Sequence, residues 1–287
     1  MKPFNKIAII GTGLIGGSLA LAIKKRKLCN RIIGVSRHID SLEFAKRKKI
    51  IDIGSQDISI VRDADLIILA CPPQAIMDLA LKIKKVIKDS CIITDVASIK
   101  KGIVRRLEEI FPNYIGSHPL AGLEKRGIRN ADAHLFKGSL CILTPTGKTL
   151  TRTREKAEVL WHSLGVRTMT MTPSEHDRIL SFVSHLPHVA AFSLMDAIPA
   201  KFLDFAAGGL KDTTRIAVSD PQLWTEIILG NREEMLRSIA HFEKSLRGIT
   251  LAIKHKDKKN LIAILKNAKR NRERMTRHCE PRSGEAI

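Results

Sequence analysis

His118 stands in the run Gly116-Ser117-His118-Pro119-Leu120-Ala121-Gly122, directly after an apolar segment that reads as a strand. A neutral imidazole at a strand end, beside a redox cofactor, can take the proton of an alcohol as its hydride leaves. Ser98, in Ala97-Ser98-Ile99-Lys100, follows a second apolar run at 91–96. Ligands of open α/β sheets meet the carboxyl ends of the strands, so both groups are predicted at one edge. Further on, Ser184-His185-Leu186-Pro187-His188 spaces two histidines three apart, on one helical face. No third ligand has metal-site spacing, so the pair reads as polar lining of a cleft and no metal is expected. Arg215 ends the run Lys211-Asp212-Thr213-Thr214-Arg215. A guanidinium suits a carboxylate bidentately, although among 49 basic residues composition alone does not single it out.

The cofactor signal lies at the other end. Residues 6–10 read as a strand that runs into Gly11-Thr12-Gly13-Leu14-Ile15-Gly16, and a helical pattern follows at once. G-x-G-x-x-G in that context is the dinucleotide fingerprint. Gly11 permits the tight turn, Gly13 lets a pyrophosphate reach the backbone beside Leu14 and Ile15, and Gly16 allows close helix packing. The helix start offers unpaired N–H groups to the phosphates. NAD sites usually carry an acid at the end of the second strand, on the ribose 2′-hydroxyl. Here the second strand ends in Val35-Ser36-Arg37-His38. A hydroxyl and a guanidinium could hold a 2′-phosphate that an acid would repel. This favours NADP, with NAD left open.

These groups need a scaffold. Short apolar runs at 6–10, 31–35, 66–71, 91–96, 114–117, 140–144 and 166–171 alternate with helical patterns, which predicts βαβ units in a parallel sheet. After Thr172 the strands stop. A helix is predicted over 174–198, kinked or broken by Pro187. Asp220-Pro221 looks like a helix N-cap with proline at the first position. Met235, Ile239, Phe242, Leu246, Ile249 and Ile253 follow one another in steps of four and three, a heptad seam that suits a bundle core or a subunit interface equally. The expected architecture is a Rossmann-type α/β domain over 1–172 and a helical, dimerising domain over 173–275. A tail without apolar period, and hence disordered, follows over 276–287.

The chain has 287 residues and a net charge of +20. Aromatics make up 4%, which disfavours base-stacking platforms and with them a nucleic-acid partner; the charge reads as a lysine-rich surface that attracts small anions. No run approaches the roughly 18 apolar residues of a membrane span, and the first strand begins too early to leave room for a signal peptide. Five cysteines without C-x-x-C fit a reducing compartment. A cytoplasmic protein without a membrane partner is expected.

Five ordered motifs carry a family resemblance: GTGLIGGSLA from Gly11, TDVASIK (94–100), GSHPLAG (116–122) with Glu124, SHLPH (184–188) and KDTTRIAVSDPQLW (211–224). Over about residues 5–275 the chain resembles the prephenate/arogenate dehydrogenases, with Leu120 where methionine is usual. The resemblance implies oxidative decarboxylation of a cyclohexadienol that carries a ring carboxylate and a three-carbon side chain, with hydride passing to a nicotinamide. By similarity His118 accepts the 4-hydroxyl proton and Ser98 bonds near that hydroxyl. Arg215 would hold a substrate carboxylate, and His188, Ser184 and Glu124 would line or gate the cleft. A homodimer without a fused mutase or regulatory domain is expected. The alternatives are another two-domain NADP oxidoreductase, of the hydroxyacid dehydrogenase or imine reductase type, and a non-catalytic NADP sensor.

Overall fold

The computed structural model describes residues 2–122 and 127–279. Its strands are β1 (Lys6–Ile10), β2 (Arg31–Val35), β3 (Ile53–Ser55), β4 (Leu66–Leu69), β5 (Ile92–Asp95), β6 (Tyr114–Pro119), β7 (Leu140–Thr144) and β8 (Arg167–Thr170). Seven coincide with the apolar runs. They form one sheet in the order β3-β2-β1-β4-β5-β6-β7-β8. Pairing is parallel from β3 to β6, antiparallel between β6 and β7, and parallel again between β7 and β8. The expectation of a parallel sheet therefore holds for six strands, and the last two run the other way.

Helices α1 (Leu14–Lys25), α2 (Ile39–Arg47), α3 (Pro73–Lys84), α4 (Lys101–Ile110) and α5 (Thr151–Ser163) cover the sheet. Successive side chains of a strand face opposite ways, so β1 needs apolar residues throughout. Ile7 and Ile9 join one core with Leu19, Ile23 and Trp161, whereas Ala8 and Ile10 join another with Ile76, Ile103 and Leu107.

After the sheet, α6 (Pro173–Leu180) starts at a capping box: Thr172 Oγ1 accepts from the Glu175 N–H, and Glu175 accepts from the Thr172 N–H. Its last turn widens into a π-helical segment, Ser181–His185, before α7 (Leu186–Ala197). Pro187 explains the widening. It has no N–H and its ring would crowd the carbonyl four residues back, which a π turn accommodates without ending the helix. The predicted break is thus a change of helical pitch. Two further helices follow: α8 (Gly208–Thr214) and α9 (Pro221–Gly230), with 3₁₀ turns at Ala200–Phe205 and Arg215–Val218. Asp220 caps α9 as expected, accepting from the Leu223 N–H at 2.6 Å.

The long helices α10 (Arg232–Lys254) and α11 (Lys258–Cys279) are the last described elements. Residues Met1–Met235 make one compact unit and Leu236–Ile287 a second, so the helical segments up to α9 group with the sheet. In the second unit Gly248 lies opposite Ile264, and Asp257 caps α11 through the Asn260 N–H. Helix α11 continues to Cys279, into the segment expected to lack structure. No helix among the described residues is long and apolar enough to cross a membrane.

Candidate active site

Strand order reverses between β1 and β4, and the crevice at their carboxyl ends is the place where such sheets bind nucleotides. The glycine turn sits there. Gly11 has φ +100°, and a Cβ on it would lie 2.3 Å from the Ala70 carbonyl oxygen. Only glycine fits that close approach of β1 to β4. A Cβ on Gly16 would lie 1.9 Å from the Gly11 carbonyl oxygen, so the third glycine lets α1 fold back on its own turn. At Gly13, by contrast, a Cβ would meet nothing within 4 Å. Open space at a helix N-terminus is what a dinucleotide phosphate needs, and the buried Thr12 hydroxyl in the same turn has no protein partner. The residues fit the cofactor.

That turn opens into a cavity of about 340 Å³. Gly13, Leu14 and Ile15 form one wall; Ala70, Cys71 and Pro72, beyond β4, form a second. Ser98 and His118 line it together, as their strand ends predict, with Asp220, Leu223 and Trp224 opposite. After β2, the Ser36 hydroxyl accepts from the His38 N–H at 3.2 Å. Burial drives the Cys71 thiol up to about 12, and the nearby Arg37 charge opposes that shift.

His118 is 8% exposed. Its Nδ1 lies 2.8 Å from His176 Nε2, and His176 Nδ1 lies 2.8 Å from Asp177 Oδ1. A carboxylate only accepts, so His176 carries its proton on Nδ1. Burial pushes the His176 imidazole below its ordinary range, against the opposing pull of Asp177, and the ring is neutral. Its Nε2 is then an acceptor, and His118 donates from Nδ1. Burial, with the neighbouring His176 and His185 rings and the Lys100 charge, holds His118 well below the usual imidazole range. The neutral ring is left with a lone pair on Nε2, the form a general base requires. This protonation pattern follows from the hydrogen-bond network.

Two carboxylates hold the Ser98 loop. Asp95 Oδ2 accepts from the Ala97 N–H at 3.0 Å and pairs with the Lys100 ammonium, while Asp95 Oδ1 accepts from Tyr114 at 2.6 Å. Asp177 accepts from the N–H groups of Lys100 and Lys101, at 2.7 and 2.8 Å, and so caps α4. His176, Asp177, Lys100 and Asp95 were not predicted. One signal for the first two is a polar His-Asp pair in the first turns after a capping box.

Other expected residues are less central. His188 stacks on Trp224, ring centroids 3.6 Å apart, and its Nδ1 donates to the Ser184 carbonyl at 3.0 Å. It backs the tryptophan that lines the cavity, and Ser184 contributes its backbone oxygen. Arg215 is exposed in the 3₁₀ turn that leads to Ser219 and Asp220; among the described residues it does not line the cavity. Glu124 lies outside the described residues.

A dinucleotide turn, a neutral imidazole in the same crevice and a helical segment closing it define a nicotinamide-dependent dehydrogenase. Comparison with known proteins makes this specific. Residues 19–170 match the family description "Prephenate dehydrogenase, nucleotide-binding domain" and residues 172–267 match "Prephenate dehydrogenase, dimerization domain". The prephenate dehydrogenase of Bacillus subtilis is 34% identical over 94% of this chain and 76% of its own length. The cyclohexadienyl dehydrogenase of Zymomonas mobilis is 34% identical over 95% and 96%. Among solved structures, prephenate dehydrogenase from Aquifex aeolicus, in complex with hydroxyphenyl propionate and NAD+, superposes with a TM-score of 0.91 at 32% identity, covering 94% of this chain and 98% of that one. Synechocystis arogenate dehydrogenase gives 0.82 at 29% identity, covering 94% and 99%. The chain belongs to the prephenate dehydrogenase family. That membership sets aside the hydroxyacid dehydrogenase, imine reductase and sensor readings.

Proposed function

We propose that this protein catalyses the oxidative decarboxylation of prephenate, arogenate or both, with His118 as the general base. The observation that carries the reading is the 2.8 Å contact of His118 Nδ1 with His176 Nε2, which commits that nitrogen and leaves Nε2 for substrate, on a residue lining the same cavity as the start of α1. Gly11, Gly13, Leu14, Ile15 and Gly16 would hold the dinucleotide, whose bound nicotinamide supplies the hydride acceptor. His118 Nε2 takes the 4-hydroxyl proton as hydride leaves C4, so that a carbonyl forms at C4 without a positive charge on its oxygen. Loss of CO₂ from the ring then makes the product aromatic. Ser98 donates to the same hydroxyl oxygen and orients it. Positioned bases of this kind contribute about 10²–10⁴-fold.

Support for NADP as the preferred cofactor comes from Ser36 and Arg37, where no acid stands to repel a 2′-phosphate. Arg215 is the proposed carboxylate partner, in the turn that leads to the cavity-lining Ser219, and His188 acts by fixing Trp224. A homodimer belongs to the same reading. Of the heptad seam, Phe242, Leu246 and Ile253 are 44, 53 and 62% exposed in the single chain, apolar area that a second copy would cover. Light scattering is expected to give twice the chain mass.

The deciding experiment measures initial rates with both substrates and both nicotinamides, on wild type and His118→Asn. The variant is expected to lose about 10²–10⁴-fold in kcat with KM little changed. Because His118 is held below its ordinary range, the acid limb of kcat/KM is expected below pH 6.5. The mechanism is falsified if His118→Asn keeps kcat within a few-fold of wild type.

A further inference from the structure

Resting on the reading of His118 as the base, we propose that Asp177 is the positioning residue of this site. Its carboxylate dictates, through His176, which nitrogen of His118 carries the proton, and it pins the Ser98 loop by capping α4.

Three donors converge on this carboxylate, which is 1% exposed. Oδ1 takes the Lys100 N–H and His176 Nδ1–H, and Oδ2 takes the Lys101 N–H. The Asp177 backbone carbonyl is held in turn by Asn231 Nδ2 at 2.8 Å. Its place on α6 is fixed by the Thr172–Glu175 capping box at the helix start. One charge thus joins the two segments that carry Ser98 and His118. The α4 N-terminus favours an anion there, and all three contacts use the carboxylate as an acceptor.

Chemical consequence follows from the direction of the bonds. With Asp177 accepting, His176 must accept from His118, and the Nε2 lone pair of His118 is kept for substrate. When His118 takes a proton it becomes an imidazolium whose charge the Lys100 ammonium opposes. Asp95 is committed to Lys100 and Tyr114. Asp177 is then the carboxylate that meets the new charge, through His176. An aspartate that sets a tautomer and stabilises an imidazolium without taking the proton is the known role of the third member of hydrolase triads; here it acts across one more ring.

The test combines kinetics with ring-nitrogen NMR. Asp177→Asn removes the charge whichever way the amide sits. In the wild-type background it is expected to lower kcat about 10²–10⁴-fold, with KM less affected and the acid limb moved to lower pH. In the His118→Asn background the same change is expected to cost at least ten-fold less than in wild type, the remainder being the share of the Ser98 loop, because residues acting as a unit are not additive. A packing role alone would cost as much in both backgrounds and leave the acid limb in place, and that result overturns the proposal. So does a kcat within three-fold of wild type for Asp177→Asn when His118→Asn is inactive; the base then stands and its positioning residue does not. Should the variant fail to fold, ¹⁵N spectra of wild type decide the matter. His118 protonated on Nδ1 at neutral pH supports the proposal, and protonation on Nε2 refutes it.

Discussion

The two inner glycines of the cofactor turn should respond oppositely to one added methyl group. At Gly16 an alanine Cβ would lie 1.9 Å from the Gly11 carbonyl oxygen and 3.0 Å from Ile9 Cγ2. Backbone must move to relieve the first contact. Overpacking costs about 1–3 kcal/mol, and alanine returns up to about 1 kcal/mol of helix propensity. A net loss of about 2 kcal/mol corresponds to a fall of about 4–8 °C in Tm for a unit of this size. At Gly13 a Cβ meets no protein atom within 4 Å, and φ −86°, ψ −153° suits any residue. The gain of about 0.4–1 kcal/mol from a stiffer unfolded chain roughly offsets the poorer N-cap. Gly13→Ala should therefore melt with wild type but bind dinucleotide at least ten-fold more weakly, since its methyl fills the phosphate space. Melting with and without NADP+ checks both. At a concentration of 100 Kd the ligand stabilises wild type by about 2.7 kcal/mol, and a ten-fold weaker variant by about half that. A full ligand shift in Gly13→Ala would refute the assignment of that space to the cofactor.

Ser36→Asp should reverse a preference for NADP, measured as the ratio of kcat/KM for the two nicotinamides; better use of NAD by wild type would mean that Ser36 and Arg37 do not read the 2′-phosphate. Lys49 closes α2 at φ 54°, a conformation that costs a side chain about 1–2 kcal/mol. After the entropy glycine adds to the unfolded chain, Lys49→Gly should raise stability by about 0.5–1 kcal/mol, read as a higher denaturant midpoint. Acid should destabilise the fold through its buried histidines. Burial lowers His118, His176 and His185, the last to about 4, so below pH 6.5 the unfolded chain binds more protons and stability falls with pH. Each contributes at most about 1.4 kcal/mol per pH unit; a Tm flat from pH 7 to 5 would show that these rings are charged or solvated in the folded protein.

What the sequence revealed and what it hid divide along a physical line. Strands buried on both faces advertise themselves as apolar runs, and seven were legible to within a residue or two. β3 was not, because three residues containing Gly54 at a sheet edge carry no apolar run. The reversed β7 was hidden as well, since strand direction is decided by the connection after His118 and not by the strand's own pattern. The glycine turn was readable because its demands are local: a positive φ, a close approach and an open helix end lie within six residues. His118 was readable from its place at a strand end. Its partner His176 lies 58 residues away in sequence, and nothing in the spacing of the two foretells a 2.8 Å contact. Arg215 shows the converse limit: a residue type suited to a carboxylate sits exposed in the 3₁₀ turn before Ser219 and does not line the cavity, because packing and not residue type decides which side chains of that turn face inward.

The buried Lys100–Asp95 pair makes sense only in that setting. Both side chains are fully buried, and such pairs are weak sources of stability, since apolar replacements often do as well. Breaking one, however, costs about 3–5 kcal/mol because a charge is left uncompensated. The pair therefore holds its geometry stiffly even though it adds little net stability, and stiffness is what the loop between β5 and α4 requires. Asp95 holds the Ala97 N–H on one side of Ser98, and Asp177 holds the Lys100 N–H on the other. Ser98 is thus clamped between two anchored peptide groups, in a loop whose own sequence has no glycine or proline to fix it. The same lysine charge that Asp95 neutralises faces His118 and opposes its protonation before substrate arrives. One buried ion pair thereby fixes the Ser98 loop and disfavours a charge on His118.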